Sequence, residues 1–192
     1  MHTIEHMLLI AALTELGVCW IAWSLAFIKP RKQASGQKEA ASTPVSRWGI
    51  ALVMAGFAFA WAYVRPVEFH KSAPALIASM VLGPPSVALA WAATRSLGKQ
   101  WRYKAALNQD HELIQTGPYR WLRHPIYLSM LGMLISTLAA WTWWPMALGS
   151  AIAFLTGTEV RIRAEERLLA EHFGASFTAY RMRTYAYLPF IR

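Results

Sequence analysis

The sequence predicts an all-α integral membrane protein with five transmembrane helices, the last two forming a tight helical hairpin. Of its 192 residues, 56% are hydrophobic and 15% charged, and the apolar residues fall in long blocks, the pattern of a membrane chain rather than a soluble domain. Several blocks approach the roughly 20 residues that cross a hydrocarbon core about 30 Å thick. Lys and Arg also alternate between the connecting segments: none before the first block, five in 29–47, two in 65–71, six in 95–123, none between the last two blocks and six from Arg161 onward. With five helices and the N-terminus outside, 17 of the 19 share one side, which puts the C-terminus in the cytoplasm.

Residues 7–28, 48–64 and 73–93 form the first three expected spans. Nothing basic precedes the first block and no small-residue cleavage site follows it, so it reads as a helix rather than a secretory signal. Residues 29–47, rich in Lys, Ser, Ala, Gln and Pro, have no hydrophobic period and form a solvated linker. Past Pro125, residues 126–140 and 144–157 are each shorter than a full span. The Trp141-Thr142-Trp143-Trp144-Pro145 break makes them a hairpin whose turn sits at the far interface. Residues 1–94 thus make one unit of three helices, and residues 95–192 a second that carries the remaining two.

Ten Trp, seven Tyr and eight Phe suit anchoring at two interfaces. A net charge of +9 comes without basic runs interleaved with base-reading polar residues, so nucleic acid is not an expected partner. Cys19 is the single cysteine, which excludes an intrachain disulfide and a cysteine metal cluster. Glu15, the one acid deep within a span, is either a functional carboxylate or a neutral group bonded to another helix.

Most groups capable of chemistry follow residue 95. The key run is Gly117-Pro118-Tyr119-Arg120-Trp121-Leu122-Arg123-His124-Pro125-Ile126-Tyr127, with Glu165-Glu166-Arg167-Leu168-Leu169 some forty residues later. Neither is a P-loop, a dinucleotide fingerprint or a metal motif, and His111, His124 and His172 are too scattered to form a ligand set. Gly117-Pro118 predicts a turn delivering Tyr119 to the membrane surface, and Pro125 suits the first turn of the fourth helix. His124 then stands at a helix N-terminus, which favours an anion such as a carboxylate. The plainer alternative makes Arg120, Arg123 and His124 headgroup anchors, with Tyr119 and Tyr127 as interfacial belt aromatics.

Residues 159–170 contain no Gly or Pro, so the fifth helix continues unbroken out of the membrane. Arg161, Glu165 and Leu168 share one face, and Arg163 and Glu166 another. The plainer reading is a surface ion-pair ladder worth a few tenths of a kcal/mol per pair.

Taken together, residues 95–192 resemble the isoprenylcysteine carboxyl methyltransferase family and, more distantly, the membrane phospholipid N-methyltransferases. The matching residues are Leu97-Gly98, His111-Glu112-Leu113-Ile114, Gly117-Pro118-Tyr119-Arg120, Arg123-His124-Pro125-Ile126-Tyr127, Glu165-Glu166, Phe173-Gly174, Tyr180 and Leu188-Pro189-Phe190. The resemblance implies an S-adenosylmethionine-dependent methyltransferase whose cytoplasmic C-terminal region binds the cofactor. By position, the cofactor contacts would be His111, Glu112, Leu113, Ile114, Tyr119, His124, Pro125, Ile126, Tyr127 and Glu165, with Lys104 a further candidate. Arg161 would face a lipid-like substrate, and no metal is implied. Ser129 stands where family members usually carry Gly, and the N-terminal half matches no recognised pattern.

On that footing, an acceptor carboxylate, such as the C-terminus of an isoprenylcysteine, is already ionised and needs a cation to orient it, which suits Arg161. Glu165 suits the cofactor's ammonium group, His124 its carboxylate, and Tyr119 and Tyr127 its adenine or sulfonium. An amine acceptor would instead need Glu165 or Glu166 as a base. Alternatives are a phospholipid or small-amphiphile N-methyltransferase, a sterol-type NADPH reductase, and a non-enzymatic transporter or scaffold.

Overall fold

The computed structural model describes residues 2–28, 44–62, 71–98 and 112–188. These form helices α1 (His2–Leu25), α2 (Pro44–Trp61), α3 (Ala73–Leu97), α4 (Pro125–Ala140), α5 (Trp144–Phe173) and α6 (Ala175–Met182), with a short 3₁₀ turn at Gly117–Arg120. No β-strand occurs among the described residues beyond one isolated bridge between Leu122 and Tyr185. Two stretches, Glu5–Leu25 and Ala73–Leu97, are long and apolar enough to cross a membrane, while Arg47–Trp61 and Pro125–Ala140 are shorter apolar helices.

Although only Trp141 to Trp143 separate α4 from α5, the two pack chiefly against other helices, α3 with α4 and α2 with α5. Small residues explain that choice. Ser79 and Ser136 hydroxyls lie 3.1 Å apart between α3 and α4. Ser150 Oγ donates to the Gly56 carbonyl at 2.7 Å between α5 and α2. Where lipid removes the hydrophobic drive between helices, close backbone approach and such polar contacts do the joining.

Aromatics bring α1 onto this assembly. Trp20 Nε1 donates to Thr137 Oγ1 at 3.0 Å and Trp23 Nε1 to Ser129 Oγ at 3.3 Å. Trp20 also meets Phe57 edge to face at 5.3 Å, and Val53, Phe57, Ala60, Leu134 and Phe154 form a buried cluster. Ser129 is therefore occupied in holding α1. Glu15 is partly buried: one oxygen lies 3.9 Å from Cys19 Sγ, and the other is buried with no hydrogen-bond partner.

At the end of the bundle where α4 turns into α5, Thr142 Oγ1 donates to the α2 carbonyl of Ala60 at 2.6 Å. Lys71 Nζ donates to the carbonyls of Leu138 and Thr142 at 2.8 and 2.7 Å, a cation satisfying the last carbonyls of a helix. Apolar side chains such as Ile10, Val18, Val81, Leu148 and Ile152 face outward.

Candidate functional site

At the opposite end, the base of α4 and the second half of α5 bring the motif residues together. Gly117 takes a left-handed φ of +59° to start the 3₁₀ turn, and the turn buries Tyr119. His124 is the N-cap of α4 and Pro125 its first residue, as the tolerance of proline at that position predicts. The α5 helix runs 30 residues without a break, which carries Arg161, Glu165 and Glu166 alongside His124 and Tyr127.

Arg161 is only 8% exposed. Its Nε donates to Tyr127 Oη at 2.5 Å and its Nη2 to Glu165 Oε1 at 2.9 Å. Tyr127 Oη in turn donates to the same Glu165 oxygen at 2.6 Å. The other Glu165 oxygen lies 3.5 Å from His124 Nδ1, and Glu166 Oε1 lies 3.4 Å from His124 Nε2. Both separations are long for hydrogen bonds, and His124 Nε2 is buried with no bond of normal geometry.

Burial works against every charge here, and the charges answer one another. Desolvation would raise Glu165, yet the facing His124 imidazole and the Arg161 guanidinium hold its carboxyl below the usual range. Glu166, likewise opposed by burial but facing His124 and bonded to Arg123, is brought down to about 2. Burial disfavours the imidazolium of His124, but Glu165 and Glu166 more than offset it and raise its affinity for a proton. Burial, with Glu165 nearby, pushes the Tyr119 phenol up, so it stays protonated.

Two residues outside the expected contact set hold the site together. Arg123 Nε donates to Glu166 Oε1 at 2.8 Å, with both side chains almost fully buried. The Arg123 guanidinium also donates to the Thr184 carbonyl and, at 3.2 Å, to that of Arg181. Backbone bonds complete the attachment: Arg123 N–H to the Tyr185 carbonyl and His124 N–H to the Ala186 carbonyl, each 2.8 Å, and Tyr185 N–H to the Trp121 carbonyl, 3.0 Å. Tyr180 Oη donates to the Tyr119 carbonyl at 2.7 Å. The segment after α6 is thus strapped across the start of α4. Arg123 and Tyr180 stand within the motif residues, but nothing in their spacing shows that they clasp the chain's own C-terminal segment.

The structure places Tyr119, His124, Pro125, Tyr127 and Arg161 in the buried interior, with Glu165 partly buried beside them. Tyr119 and Tyr127, each 7% exposed, are not belt aromatics, and Arg123 and His124, 5% and 6% exposed, are not headgroup anchors. Only Arg120 of that group is exposed, its guanidinium 5.4 Å from the Trp121 ring. Leu113, Ile114 and Ile126 are half-buried and Glu112 is exposed. Lys104 and His111 lie outside the described residues. The expected sharing of a face by Arg163 and Glu166 does not make a pair: Arg163 bonds to Glu159 at 2.8 Å on the exposed side, while Glu166 turns inward to Arg123.

Buried groups of both charge signs side by side suit a zwitterionic ligand. The chain offers a carboxylate at Glu165, a buried imidazole nitrogen without a well-formed bond at His124, the N-terminus of α4, and two buried phenols. Among the described residues no group of three His, Cys, Asp or Glu could hold a metal ion.

Comparison with known proteins gives a consistent picture. The model of the isoprenylcysteine carboxyl methyltransferase (ICMT) family matches residues 76–171, half of the chain. Protein-S-isoprenylcysteine O-methyltransferase of Saccharomyces cerevisiae is 31% identical over 101 residues, covering 46% of this chain and 37% of that protein. YpbQ of Bacillus subtilis, an uncharacterized protein by name, is 36% identical over 78 residues, covering 40% of this chain and 46% of its own length. The chain therefore spans less than half the length of either curated relative.

Proposed function

Because the chain belongs to the isoprenylcysteine carboxyl methyltransferase family, we propose that it is an integral membrane enzyme that methylates a lipid-borne carboxylate, most simply that of an isoprenylcysteine, using S-adenosylmethionine. The observation that carries this reading is the buried Arg161, Tyr127, Glu165 and His124 network at the base of α4 and α5. When bound, S-adenosylmethionine supplies a methyl group on a sulfonium, which an ionised carboxylate oxygen takes directly as the carbon–sulfur bond breaks and its electron pair goes to sulfur.

Arg161 orients the acceptor carboxylate by two parallel N–H bonds, and Tyr127 and Glu165 hold the guanidinium at the angle it needs. Glu165 receives the cofactor's ammonium group, and His124 with the N-terminus of α4 its carboxylate. Tyr119, Tyr127, Pro125, Ile126, Leu113 and Ile114 enclose the rest and exclude water, and the resemblance alone adds Lys104, His111 and Glu112 to the cofactor contacts. No proton need leave a carboxylate acceptor. An amine acceptor would need a base, and the two candidates, Glu165 and Glu166, are both held below the ordinary carboxylate range by their partners. That favours O-methylation over the N-methyl alternative.

Calorimetry on the detergent-purified chain is expected to show S-adenosylhomocysteine binding, and Glu165→Ala to weaken it tenfold or more, since losing a hydrogen-bonded charge partner costs about 1.5–3 kcal/mol. Methyl label should end in a base-labile ester. A base-stable N-methyl product would overturn the acceptor class, and binding of NADPH without S-adenosylhomocysteine would overturn the enzyme class.

The same reading places five helices across the membrane, N-terminus outside and C-terminus cytoplasmic, with residues 95–192 as the catalytic region. Supporting it, α2 and α5 run antiparallel, Gly49, Gly56 and Ala60 meeting Arg161, Phe154 and Thr142 in turn, and so do α3 and α4, Ser79 meeting Ser136 and Ser86 meeting Gly132. In a Cys19→Ser background, Ser35→Cys and Thr178→Cys should be labelled by an impermeant thiol reagent from the same face. Labelling from opposite faces would refute the topology.

A further inference from the structure

α2 lies outside the segment that the family model matches, yet it forms the wall behind Arg161. A Cβ at Gly49 would stand 2.6 Å from Arg161 Cγ, 3.1 Å from the Gly157 carbonyl oxygen and 3.3 Å from Val160 Cγ1. Conversely, a Cβ at Gly157 would stand 2.7 Å from the Gly49 carbonyl oxygen and 2.7 Å from Val53 N. The two backbones therefore touch one turn before Arg161, and the arginine's own stem lies on the bare backbone of α2. Its far end is fixed by Tyr127 and Glu165. A long flexible side chain is held at both ends: by hydrogen bonds at the guanidinium and by absence of a side chain at Gly49.

We infer that Gly49 is a positioning residue for Arg161, the surface against which the stem rests and which sets where the guanidinium meets the acceptor. This rests on the assignment of Arg161 to the acceptor. A methyl group there must push the stem toward Tyr127 or part the helices, and a displacement of about 1 Å in an orienting group can cost on the order of a hundredfold in rate. The N-terminal half then takes part in acceptor alignment, although none of its residues need touch the cofactor.

The test compares Gly49→Ala with Gly56→Ala in the full-length chain. A Cβ at Gly56 would meet Phe154 Cβ at 2.8 Å and the Ser150 carbonyl oxygen at 3.0 Å, an equal insult to the same interface about two turns away from Arg161. Gly49→Ala is expected to lower turnover about tenfold or more, with S-adenosylhomocysteine affinity within about twofold. Gly56→Ala should lose stability but keep its turnover, measured where both are folded. Turnover lost by both variants in proportion to their stability would overturn the inference. A second measurement serves even if Gly49→Ala folds poorly. In the Arg161→Ala background the 2.6 Å conflict has no Cγ to meet, so Gly49→Ala should lower the unfolding midpoint less there than in the parent chain. Equal destabilisation in the two backgrounds would show that Gly49 accommodates only the Gly157 backbone. Failure of the underlying reading looks different: Arg161→Ala would then retain turnover, whatever the stability coupling shows.

Discussion

Arg161→Ala is expected to lower methyl transfer by orders of magnitude while S-adenosylhomocysteine affinity stays within a few-fold. The guanidinium supplies the charge that orients the acceptor, and losing a positioning group of this kind lowers transition-state binding more than anything the cofactor senses. Glu165 keeps two neighbours in that variant, Tyr127 Oη at 2.6 Å and His124 Nδ1 at 3.5 Å, so its carboxylate remains held for the cofactor. Arg161→Lys should rescue poorly, because an ammonium has no planar fork and cannot bond Tyr127, Glu165 and a carboxylate together. The rival account is that Arg161 serves only as the counter-ion of Glu165, to which it is bonded at 2.9 Å. On that account affinity and turnover fall in parallel. Measuring both on one purified variant separates the two.

Glu166→Ala should produce the largest loss of stability. It leaves the Arg123 guanidinium, 5% exposed, without its carboxylate, and breaking a buried pair from one side costs about 3–5 kcal/mol. The segment carrying Thr184, Tyr185 and Ala186 should loosen with it, read as faster amide exchange at Tyr185 and at His124. Glu166→Gln, which keeps a hydrogen-bond acceptor, should lose less. A change below about 1 kcal/mol for Glu166→Ala would show that backbone bonds alone hold the strap.

The pH dependence follows from the same groups. Glu166 ionises at about 2 in the fold instead of its ordinary 4.5, so its contribution is complete above 4.5 and disappears as pH falls toward 2. His124 binds its proton more tightly in the fold than its ordinary 6.5. Its contribution is complete below 6.5 and is lost as pH rises through the higher folded value. Stability should therefore decline as pH rises above 6.5, and His124→Gln should flatten that decline.

The helices were legible because lipid imposes a length and a composition on them. The expected segments at 73–93, 126–140 and 144 onward begin within a residue of α3, α4 and α5. The unbroken run of α5 through Glu165 followed from the absence of Gly and Pro. The short α6 was missed, since eight amphipathic residues after Gly174 are too few and too mixed to carry a membrane signal. Helical spacing puts Arg163 and Glu166 on one face, and the plainer reading there was a surface ion-pair ladder. It failed for this pair because Glu166 is within reach of the buried Arg123 on another element, where a charged group must find its partner, while Arg163 has water and Glu159.

By itself, then, the sequence determined that the chain is a helical membrane protein, and where α3, α4 and α5 begin. It also marked Tyr119, His124, Tyr127, Arg161 and Glu165 as the residues to watch, because spacing along one chain and proline at a helix start are local properties. Only the tertiary structure decided that Arg161 and Glu165 share Tyr127, that Arg123 and Glu166 clasp the segment after α6, and that α2 brings Gly49 against the stem of Arg161. Each of those contacts joins residues 34 to more than 100 positions apart or depends on which helix packs against which. Close backbone approach, not local sequence pattern, settles that choice.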